Sequence, residues 1–318
     1  MKAAVVTTFD QAPHYQDFTL PDQLGPNEMV VDVIAAGIHP RVRSQAEGSH
    51  YTSTDDLPLV PGIDGVARAA DGTLRYFILP DTSLGSMAEQ TIIDVRRSVR
   101  LPEGADPVQI AAAMNPAMSS WIALRRRIDF QPGQSVMIMG ATGNAGRLAV
   151  QVARRLDAGR VIAVGRGADR LAELGADATV ALDDDPQTVA EQLGEAGKDV
   201  DVVIDYLWGQ PTRDALYAIV PRRTDHNQSL TWIEVGSVAG LDSPIPSAAL
   251  RATRLQIVGS GQGSVATRDI VTELGELANA VNSAAFTIRA RAITLDKVEY
   301  AWSEAANETD RIVITPQS

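Results

Sequence analysis

Residues 135–166, SVMIMGATGNAGRLAVQVARRLDAGRVIAVGR, decide the fold of this chain. The stretch begins with the apolar run 136–139, which is typical of a strand buried on both faces of a parallel sheet. A glycine-rich turn follows, and apolar residues then recur at helical spacing over 147–156. A second apolar run covers 161–164. Strand, glycine turn, helix and strand in about 30 residues make the βαβ unit that binds a dinucleotide.

The three glycines of the turn have different tasks. Gly140 leaves the strand in a tight turn that demands a residue without a Cβ. Gly143 lets a pyrophosphate approach the backbone, and Gly146 lets the helix pack closely on the sheet. The N–H groups and the positive dipole end of the helix then face the phosphates, although a glycine turn without a ligand has the same letters. The backbone N–H groups beside these glycines belong to Thr142, Asn144 and Ala145.

The end of the second strand selects the dinucleotide. Enzymes that use NAD usually place Asp or Glu there, where the carboxylate binds the ribose 2′-OH. This chain has Gly165 and Arg166 there, with Arg170 four residues later. A guanidinium can bind a 2′-phosphate through two N–H groups, so we predict NADPH rather than NADH. The alternative is that both arginines are the solvated start of a helix.

Composition excludes several classes of protein. The chain has 318 residues, enough for two domains, and its 45% apolar content supports a sizeable core. A net charge of −12 argues against nucleic acid or an anionic membrane as partner. The chain has no cysteine, which excludes disulfides and thiolate metal sites. With no signal-like or membrane-spanning segment in the sequence, we expect a soluble cytoplasmic protein.

The order of apolar runs predicts an α/β protein. Residues 1–98 are rich in strands and turns, with a hairpin signal at Asp71 and Gly72. Asp106 followed by proline predicts a helix over 108–114, and Pro116 predicts the start of a second helix over 116–127. From 135 to 258, strands alternate with helices, which predicts a doubly wound parallel sheet. A long helix at 268–281 and strands near 286–293 and 311–314 follow, and we expect this tail to return to the first domain.

Six short segments stand in order along the chain: AAGIHP (35–40), PGIDG (61–65), the glycine turn, LGAD (174–177), DVVID (201–205) and EVGS (234–237). Together they resemble the medium-chain dehydrogenase/reductases, in their zinc-free quinone oxidoreductase branch. The resemblance implies a Rossmann domain at 119–261, which binds NADPH. It also implies a catalytic domain at 1–118 and 262–318, built around a GroES-like, partly open β-barrel. A cleft between these domains and a homodimer are implied too.

The resemblance also implies that no zinc is bound. Zinc-using relatives have metal ligands at three places, which hold His39 or its neighbours, Ile63 and Asn115 here. Isoleucine cannot bind a metal, and asparagine is a poor zinc ligand. The zinc-free branch often reads Asn-Pro-x-x-x-Tyr where this chain has His39, Pro40 and Ser44, so the proton donor of relatives does not transfer directly.

Candidate catalytic residues are therefore few. The resemblance brings the loop of Tyr51 to the cleft mouth, where its phenol can hydrogen-bond a substrate oxygen; a tyrosine packed under its loop is the alternative. His39 is a donor near neutral pH or a fixed polar residue at a strand end. His50 competes with Tyr51 for the same role. Asn115 binds substrate or nicotinamide, or caps the helix that starts at Pro116.

Three further residues complete the predicted cofactor site. Gly236 and Ser237 lie at the carboxyl end of a strand, where open α/β sheets bind ligands. Ser260 opens a second glycine turn that contacts the nicotinamide, forms a hinge between the domains, or does both.

Together these features predict an NADPH-dependent enzyme that reduces a quinone or an α,β-unsaturated carbonyl compound. Without a metal, a conjugated acceptor is easier to reduce than a simple ketone because conjugation spreads the developing charge. Two alternatives stay open. One is a zinc-free carbonyl reductase or alcohol dehydrogenase with His39 or Tyr51 as the acid. The other is a nucleotide-binding protein without turnover.

Overall fold

The computed structural model describes residues 1–305 and 310–316. It divides into two compact units, which we call the terminal unit (Met1–Asn115 with Thr267–Ser318) and the central unit (Pro116–Ala266). The central unit contains a parallel sheet, and the terminal unit contains a mostly antiparallel one. The predicted fold class is confirmed.

The first part of the terminal unit is built from short strands, as its turn-rich sequence predicts. The hairpin at Asp71 and Gly72 forms because Gly72 adopts a φ of 84° and Asp71 Oδ1 accepts the Thr73 N–H at 3.0 Å. The elements in this part are β1 (Lys2–Val5), β2 (His14–Asp17), β3 (Glu28–Gly37), α1 (Pro40–Ala46), β4 (Asp64–Arg68), β5 (Leu74–Ile78), β6 (Gln90–Asp94) and β7 (Ser98–Arg100).

Three of these elements, α1, β2 and β7, were not predicted. Pro40 begins α1, since its fixed φ suits the first helical position. All four residues of β2 are exposed, so this strand lacks the alternation of apolar and polar residues that marks a half-buried strand. At three residues, β7 is too short to show a period.

Helix α2 (Pro107–Ile122) corrects the prediction of two helices. Asp106 caps it as expected, because Asp106 Oδ1 accepts the N–H of Val108 at 2.8 Å. The helix continues through Pro116 and ends in one turn of π-helix at Ala123–Arg127. Proline removes one helical hydrogen bond, but Met114 before it and Trp121 after it are each fully buried, and this burial outweighs the loss.

The central unit is a six-stranded parallel sheet in the order β10-β9-β8-β11-β12-β13. The chain runs outward from β8 to β10 and then returns to β11, so the strand order reverses between β8 and β11. Ligands of open α/β sheets bind at such a reversal, beyond the carboxyl ends of the strands. The elements are β8 (Ser135–Met139), α3 (Asn144–Arg155), β9 (Arg160–Gly165), α4 (Ala168–Ala172), β10 (Ala178–Ala181), α5 (Pro186–Gly197), β11 (Val202–Asp205), α6 (Gly209–Ile219), β12 (Leu230–Glu234), α7 (Ala249–Ala252) and β13 (Leu255–Gly259).

The last part of the chain completes the terminal unit. Its strand β15 pairs antiparallel with β3 and parallel with β14, so both ends of the chain contribute to one sheet. The elements are α8 (Thr267–Asn282), β14 (Ala290–Thr294), α9 (Val298–Glu304) and β15 (Arg311–Thr315). Helix α9 was not predicted. None of the helices in the described ranges is both long and apolar enough to cross a membrane.

Candidate functional site

The glycine-rich turn lies at the point where the strand order of the central unit reverses. Gly140 adopts a φ of 87°, a left-handed conformation that favours glycine. Its N–H group and that of Ala141 both donate to the Val164 carbonyl, at 2.8 and 2.9 Å. A Cβ on Gly146 would lie 2.2 Å from the Gly140 carbonyl oxygen, so helix and strand touch here through backbone alone. The turn is therefore held rigidly between β8, α3 and β9.

The outer surface of the same turn offers backbone donors. The N–H groups of Thr142, Asn144 and Ala145 make no hydrogen bond with any residue that the structure describes. A Cβ on Gly143 would meet nothing closer than the Gly140 carbonyl oxygen at 3.6 Å, so the space in front of this residue is open. Donors at the start of a 12-residue helix that no described residue engages suit a pyrophosphate.

Arg166 and Arg170 follow β9, at the place where the sequence predicts that the dinucleotide is selected. Arg166 is exposed, and its guanidinium makes no hydrogen bond or ion pair with the described residues. Arg170 Nη2 donates to the Arg166 carbonyl at 2.9 Å. Asp183, which the sequence did not bring to attention, accepts the Gly167 N–H at 3.0 Å. This N–H group, with Arg170 and Arg166 nearby, lowers the pKa of Asp183. An ionised Asp183 thus holds the turn from which Arg166 projects.

Asp205, also missed, organises the carboxyl end of β11. Its side chain is fully buried, and Oδ1 accepts the N–H groups of Leu207 at 2.8 Å and Trp208 at 3.0 Å. Oδ2 accepts the Thr212 hydroxyl and the Trp232 indole N–H, at 2.5 and 2.8 Å. These four bonds hold the turn after β11, where Trp208 has a φ of 54°. The only signal in the sequence is a carboxylate at the end of an apolar run.

The 206–208 turn lies beside the glycine-rich turn. A Cβ on Gly140 would lie 3.2 Å from both Tyr206 Cβ and Leu207 Cδ2. The Tyr206 hydroxyl lies 2.8 Å from that of Ser119, and burial raises the pKa of Tyr206 to about 12. Tyr206 is therefore a protonated hydrogen-bonding group at neutral pH.

The other three predicted cofactor residues follow β12 and β13. The Gly236 N–H donates to the Asp205 carbonyl at 3.2 Å, and the Ser260 N–H donates to the Glu234 carbonyl at 2.8 Å. Both groups therefore extend the parallel pairing of the sheet. Gly236 and Ser237 are partly exposed at its carboxyl edge. Burial, followed by the charge of Asp205, raises the pKa of Glu234 at the same edge.

His39 lies in a closed buried network of the terminal unit. Its side chain is 3% exposed, and Nε2 lies 2.9 Å from Asp64 Oδ1. The other Asp64 oxygen accepts the Tyr76 hydroxyl at 2.8 Å. Burial lowers the pKa of His39, although the bond to Asp64 opposes the shift. We predicted either a proton donor to substrate or a fixed polar residue at this position. The buried geometry favours the fixed polar residue.

Tyr51 is 74% exposed, which contradicts the alternative of a tyrosine packed under its loop. Its ring stacks on His50, with ring centroids 4.2 Å apart and planes tilted by 31°. His50 Nδ1 lies 2.9 Å from the Thr52 hydroxyl. The loop therefore presents an aromatic pair at the surface of the terminal unit.

Asn115 lies inside α2, where its partly exposed side chain makes no hydrogen bond with the described residues. The alternative that it caps a helix starting at Pro116 is wrong, because α2 has no break there. Ile63, at another place that holds a ligand in zinc-using relatives, is buried. Residues 1–305 and 310–316 contain no group of three or more His, Asp or Glu side chains arranged to hold a metal.

No protein-family model matches the chain. Among curated proteins, the probable NADPH-dependent quinone reductase tdiC of Emericella nidulans is 30% identical over 365 residues, which cover 99% of this chain and 100% of that protein. The trans-enoyl reductase pgmF of Aspergillus terreus is 26% identical over 244 residues, covering 69% of this chain and 65% of that protein.

A solved structure of similar fold matches nearly the full length of this chain. The quinone oxidoreductase of Thermus thermophilus, whose crystal structures include a complex with NADPH, has a TM-score of 0.81 to this chain. The two are 22% identical, and the match covers 99% of this chain and 100% of the other. At this identity the likeness establishes the fold.

Proposed function

We propose that this chain, which belongs to the quinone oxidoreductase branch of the medium-chain dehydrogenase/reductase superfamily, is an NADPH-dependent reductase of quinones or α,β-unsaturated carbonyl compounds. One observation carries the proposal. Among the described residues, nothing hydrogen-bonds three backbone N–H groups of the rigid glycine-rich turn at the strand reversal of the central unit, or pairs with the guanidinium of Arg166, which follows β9. The name of the relative tdiC, an NADPH-dependent quinone reductase, supports it.

The residues of the central unit fit NADPH. Thr142, Asn144 and Ala145 would donate their N–H groups to the pyrophosphate, and the open space at Gly143 would admit it. Arg166 would bind the 2′-phosphate, with Arg170 adding positive charge. Gly236, Ser237 and Ser260 would line the nicotinamide side of the carboxyl edge.

The substrate class follows from the residue types available. When bound, NADPH supplies a hydride to an electron-poor carbon, and a proton from solvent completes the two-electron reduction. Isoleucine at position 63 cannot provide a zinc ligand, so the substrate itself must stabilise the developing charge. Quinones and enones do so by conjugation, with hydrogen-bond donors of the protein assisting.

NADPH oxidation assayed with a quinone, an enone and a simple ketone tests this function. We expect turnover of at least one conjugated acceptor at a kcat/KM more than about tenfold above that of the ketone, because the ketone lacks conjugation. Activity on the ketone alone would support a carbonyl reductase. Absence of turnover with tight NADPH binding would support a nucleotide-binding protein.

A carbonyl reductase with His39 as the acid is the weaker alternative. Asp64 holds the buried His39 ring, and the lowered pKa leaves that ring neutral at neutral pH. A neutral imidazole is a poor proton donor to an alkoxide. Tyr51, which is exposed, stays open as a donor.

Three further predictions belong to this proposal. Elemental analysis of the purified protein should find no stoichiometric zinc, and a full equivalent would contradict the substrate argument. Light scattering after gel filtration should give the mass of a homodimer, twice the 33.9 kDa of one chain. Fractionation of the source cells should place the protein in the cytoplasm.

A further inference from the structure

The backbone turn that carries Arg166 touches the glycine-rich turn inside the central unit. Gly165 is the last residue of β9, and a Cβ on it would lie 3.0 Å from Thr142 Oγ1 and 3.3 Å from the Thr142 backbone nitrogen. The two turns therefore meet through a residue that has no side chain. These are the two turns to which we assign the phosphates of NADPH.

Asp183 anchors the far end of the Arg166 turn. It follows β10, and its two carboxylate oxygens accept the Gly167 N–H at 3.0 and 3.2 Å. Gly167 adopts a φ of 85°, a left-handed conformation that the bond to Asp183 helps to hold. Without this carboxylate, the Gly167 N–H would have no acceptor among residues 1–305 and 310–316.

Arg170 also contacts this turn. Its Nη2 donates to the Arg166 carbonyl at 2.9 Å, and a Cβ on Gly167 would lie 2.7 Å from its Nε, so its guanidinium lies against the backbone. Asp183 and Arg170 are therefore both engaged with backbone groups. The Arg166 guanidinium makes no hydrogen bond or ion pair with the described residues and is available to a ligand.

The charge of Asp183 acts in the opposite sense to its hydrogen bond. Asp183 is exposed, and the hydrogen bond from Gly167, with smaller effects of Arg170 and Arg166, lowers the pKa of its carboxyl. Asp183 is therefore ionised at neutral pH. A negative charge that interacts with both arginines also repels an anion bound to them. The bond to Gly167 should favour a bound phosphate, and the charge should oppose it.

We infer that Asp183 sets how strongly this chain prefers a 2′-phosphate to a 2′-hydroxyl, as the positioning residue of Arg166. The inference rests on the proposed function for the assignment of the 2′-phosphate to Arg166. The bond to Gly167 fixes the backbone from which Arg166 extends, so less conformational freedom is lost when the phosphate binds. This bond is the larger effect, because water and salt screen the exposed charge.

Calorimetric titration of the intact protein with NADP⁺ and with NAD⁺ tests the inference without turnover. Asp183→Asn keeps an oxygen that accepts the Gly167 N–H but removes the charge, so it should bind NADP⁺ about two- to fivefold more tightly than the wild type. Asp183→Ala removes the acceptor as well and should bind NADP⁺ about 5- to 20-fold more weakly. The dissociation constant of NAD⁺ should change by less than about twofold in both variants.

The neighbouring residue Asp184 is the matched control. It is also exposed, and its side chain makes no hydrogen bond or ion pair with the described residues. Asp184→Asn and Asp184→Ala remove the same charge without removing a bond to the turn. Their dissociation constants for NADP⁺ should therefore agree within about twofold.

Hydrogen exchange of the Gly167 amide tests the anchor in the protein without nucleotide. The amide should exchange at least about tenfold faster in Asp183→Ala than in the wild type, because its acceptor is lost. Asp183→Asn should restore protection. Equal exchange rates in the wild type and Asp183→Ala would overturn the role of Asp183 as anchor.

The possible failures are distinguishable. If the wild type binds neither nucleotide, the proposed function fails and the inference fails with it. If the wild type prefers NADP⁺ but Asp183→Asn and Asp183→Ala shift its affinity in the same direction, only the inference about Asp183 fails. Equal changes for NADP⁺ and NAD⁺ in Asp183→Ala would likewise overturn it, since the effect would not depend on the 2′-phosphate.

Discussion

Arg166 is the residue to which we assign the choice of nucleotide, with Asp183 as its positioning residue. It follows the last residue of β9, is exposed, and makes no hydrogen bond or ion pair with any described residue. Asp183, through Gly167, holds the turn around it. The Asp183 carboxylate is therefore engaged with the backbone and leaves the guanidinium available to a phosphate.

Replacing Arg166 with alanine should change the KM for NADPH much more than the KM for NADH. Loss of a charge-assisted bond to the 2′-phosphate should raise the KM for NADPH about 10- to 100-fold, while the KM for NADH should change less than about threefold. Steady-state kinetics with both nucleotides measure this. Arg155→Ala is the matched control, since Arg155 is exposed at the opposite end of α3. Equal effects on both nucleotides would contradict the phosphate assignment.

The buried pair of His39 and Asp64 should make the stability of the folded protein depend on pH. Burial lowers the pKa of His39 in the folded state below its unfolded value of 6.5. Below pH 6.5 the unfolded chain therefore binds more protons at this residue, and stability is lost as the pH falls toward the folded pKa. Above 6.5 the contribution is constant.

His39→Gln should make the stability of the protein depend less steeply on pH, because a glutamine amide can donate to Asp64 but does not titrate. We expect the urea midpoint of the wild type to fall more steeply than that of the variant between about pH 7 and pH 5. His14→Gln, at an exposed ion pair, is the control. Identical slopes for His39→Gln and the wild type would show that His39 is not held neutral.

At the scale of elements, Gly146 and Gly143, two of the three glycines of the β8–α3 turn, have different physical roles. Gly146 touches the Gly140 carbonyl, and a Cβ there would lie 2.2 Å from that oxygen. Gly143 faces open space, with a φ of −78° that any residue adopts. The first glycine is required by packing, and the second by the ligand we propose.

Gly146→Ala and Gly143→Ala should therefore behave differently. Gly146→Ala should reduce the free energy of unfolding by about 1–3 kcal/mol, because the helix must move away from the strand. Gly143→Ala should change it by less than about 0.5 kcal/mol, yet weaken NADPH binding by about tenfold or more. Chemical denaturation and calorimetry measure the two effects. Unaltered NADPH affinity in the folded Gly143→Ala protein would argue against a pyrophosphate at this turn.

Among the elements, those that depend on local sequence patterns were predicted, and those that depend on distant residues were not. The βαβ unit was identified because periodicity and glycine spacing are local properties of the chain. Pro116 was misinterpreted, because its local preference for starting a helix lost to burial of the apolar residues on both sides. The roles of Asp205 and Asp183 could not be predicted. They depend on residues as far as 27 positions apart, as Asp205 and Trp232 are.

At the scale of the whole molecule, membership of the family, the fold and the central unit point to one activity. The central unit carries the features of a dinucleotide site, and the terminal unit carries the candidate substrate donors Tyr51 and His50. The resemblance seen in the sequence extends over the full length of the relative tdiC. The function therefore requires that the intact chain bind the phosphorylated nucleotide.

Titration calorimetry of the intact protein with NADPH and with NADH tests that requirement most directly. We predict that one NADPH binds per chain, at least about tenfold more tightly than NADH, because only NADPH offers Arg166 a 2′-phosphate. Heats of dilution alone with both nucleotides, at protein and ligand concentrations up to about 1 mM, would contradict the account.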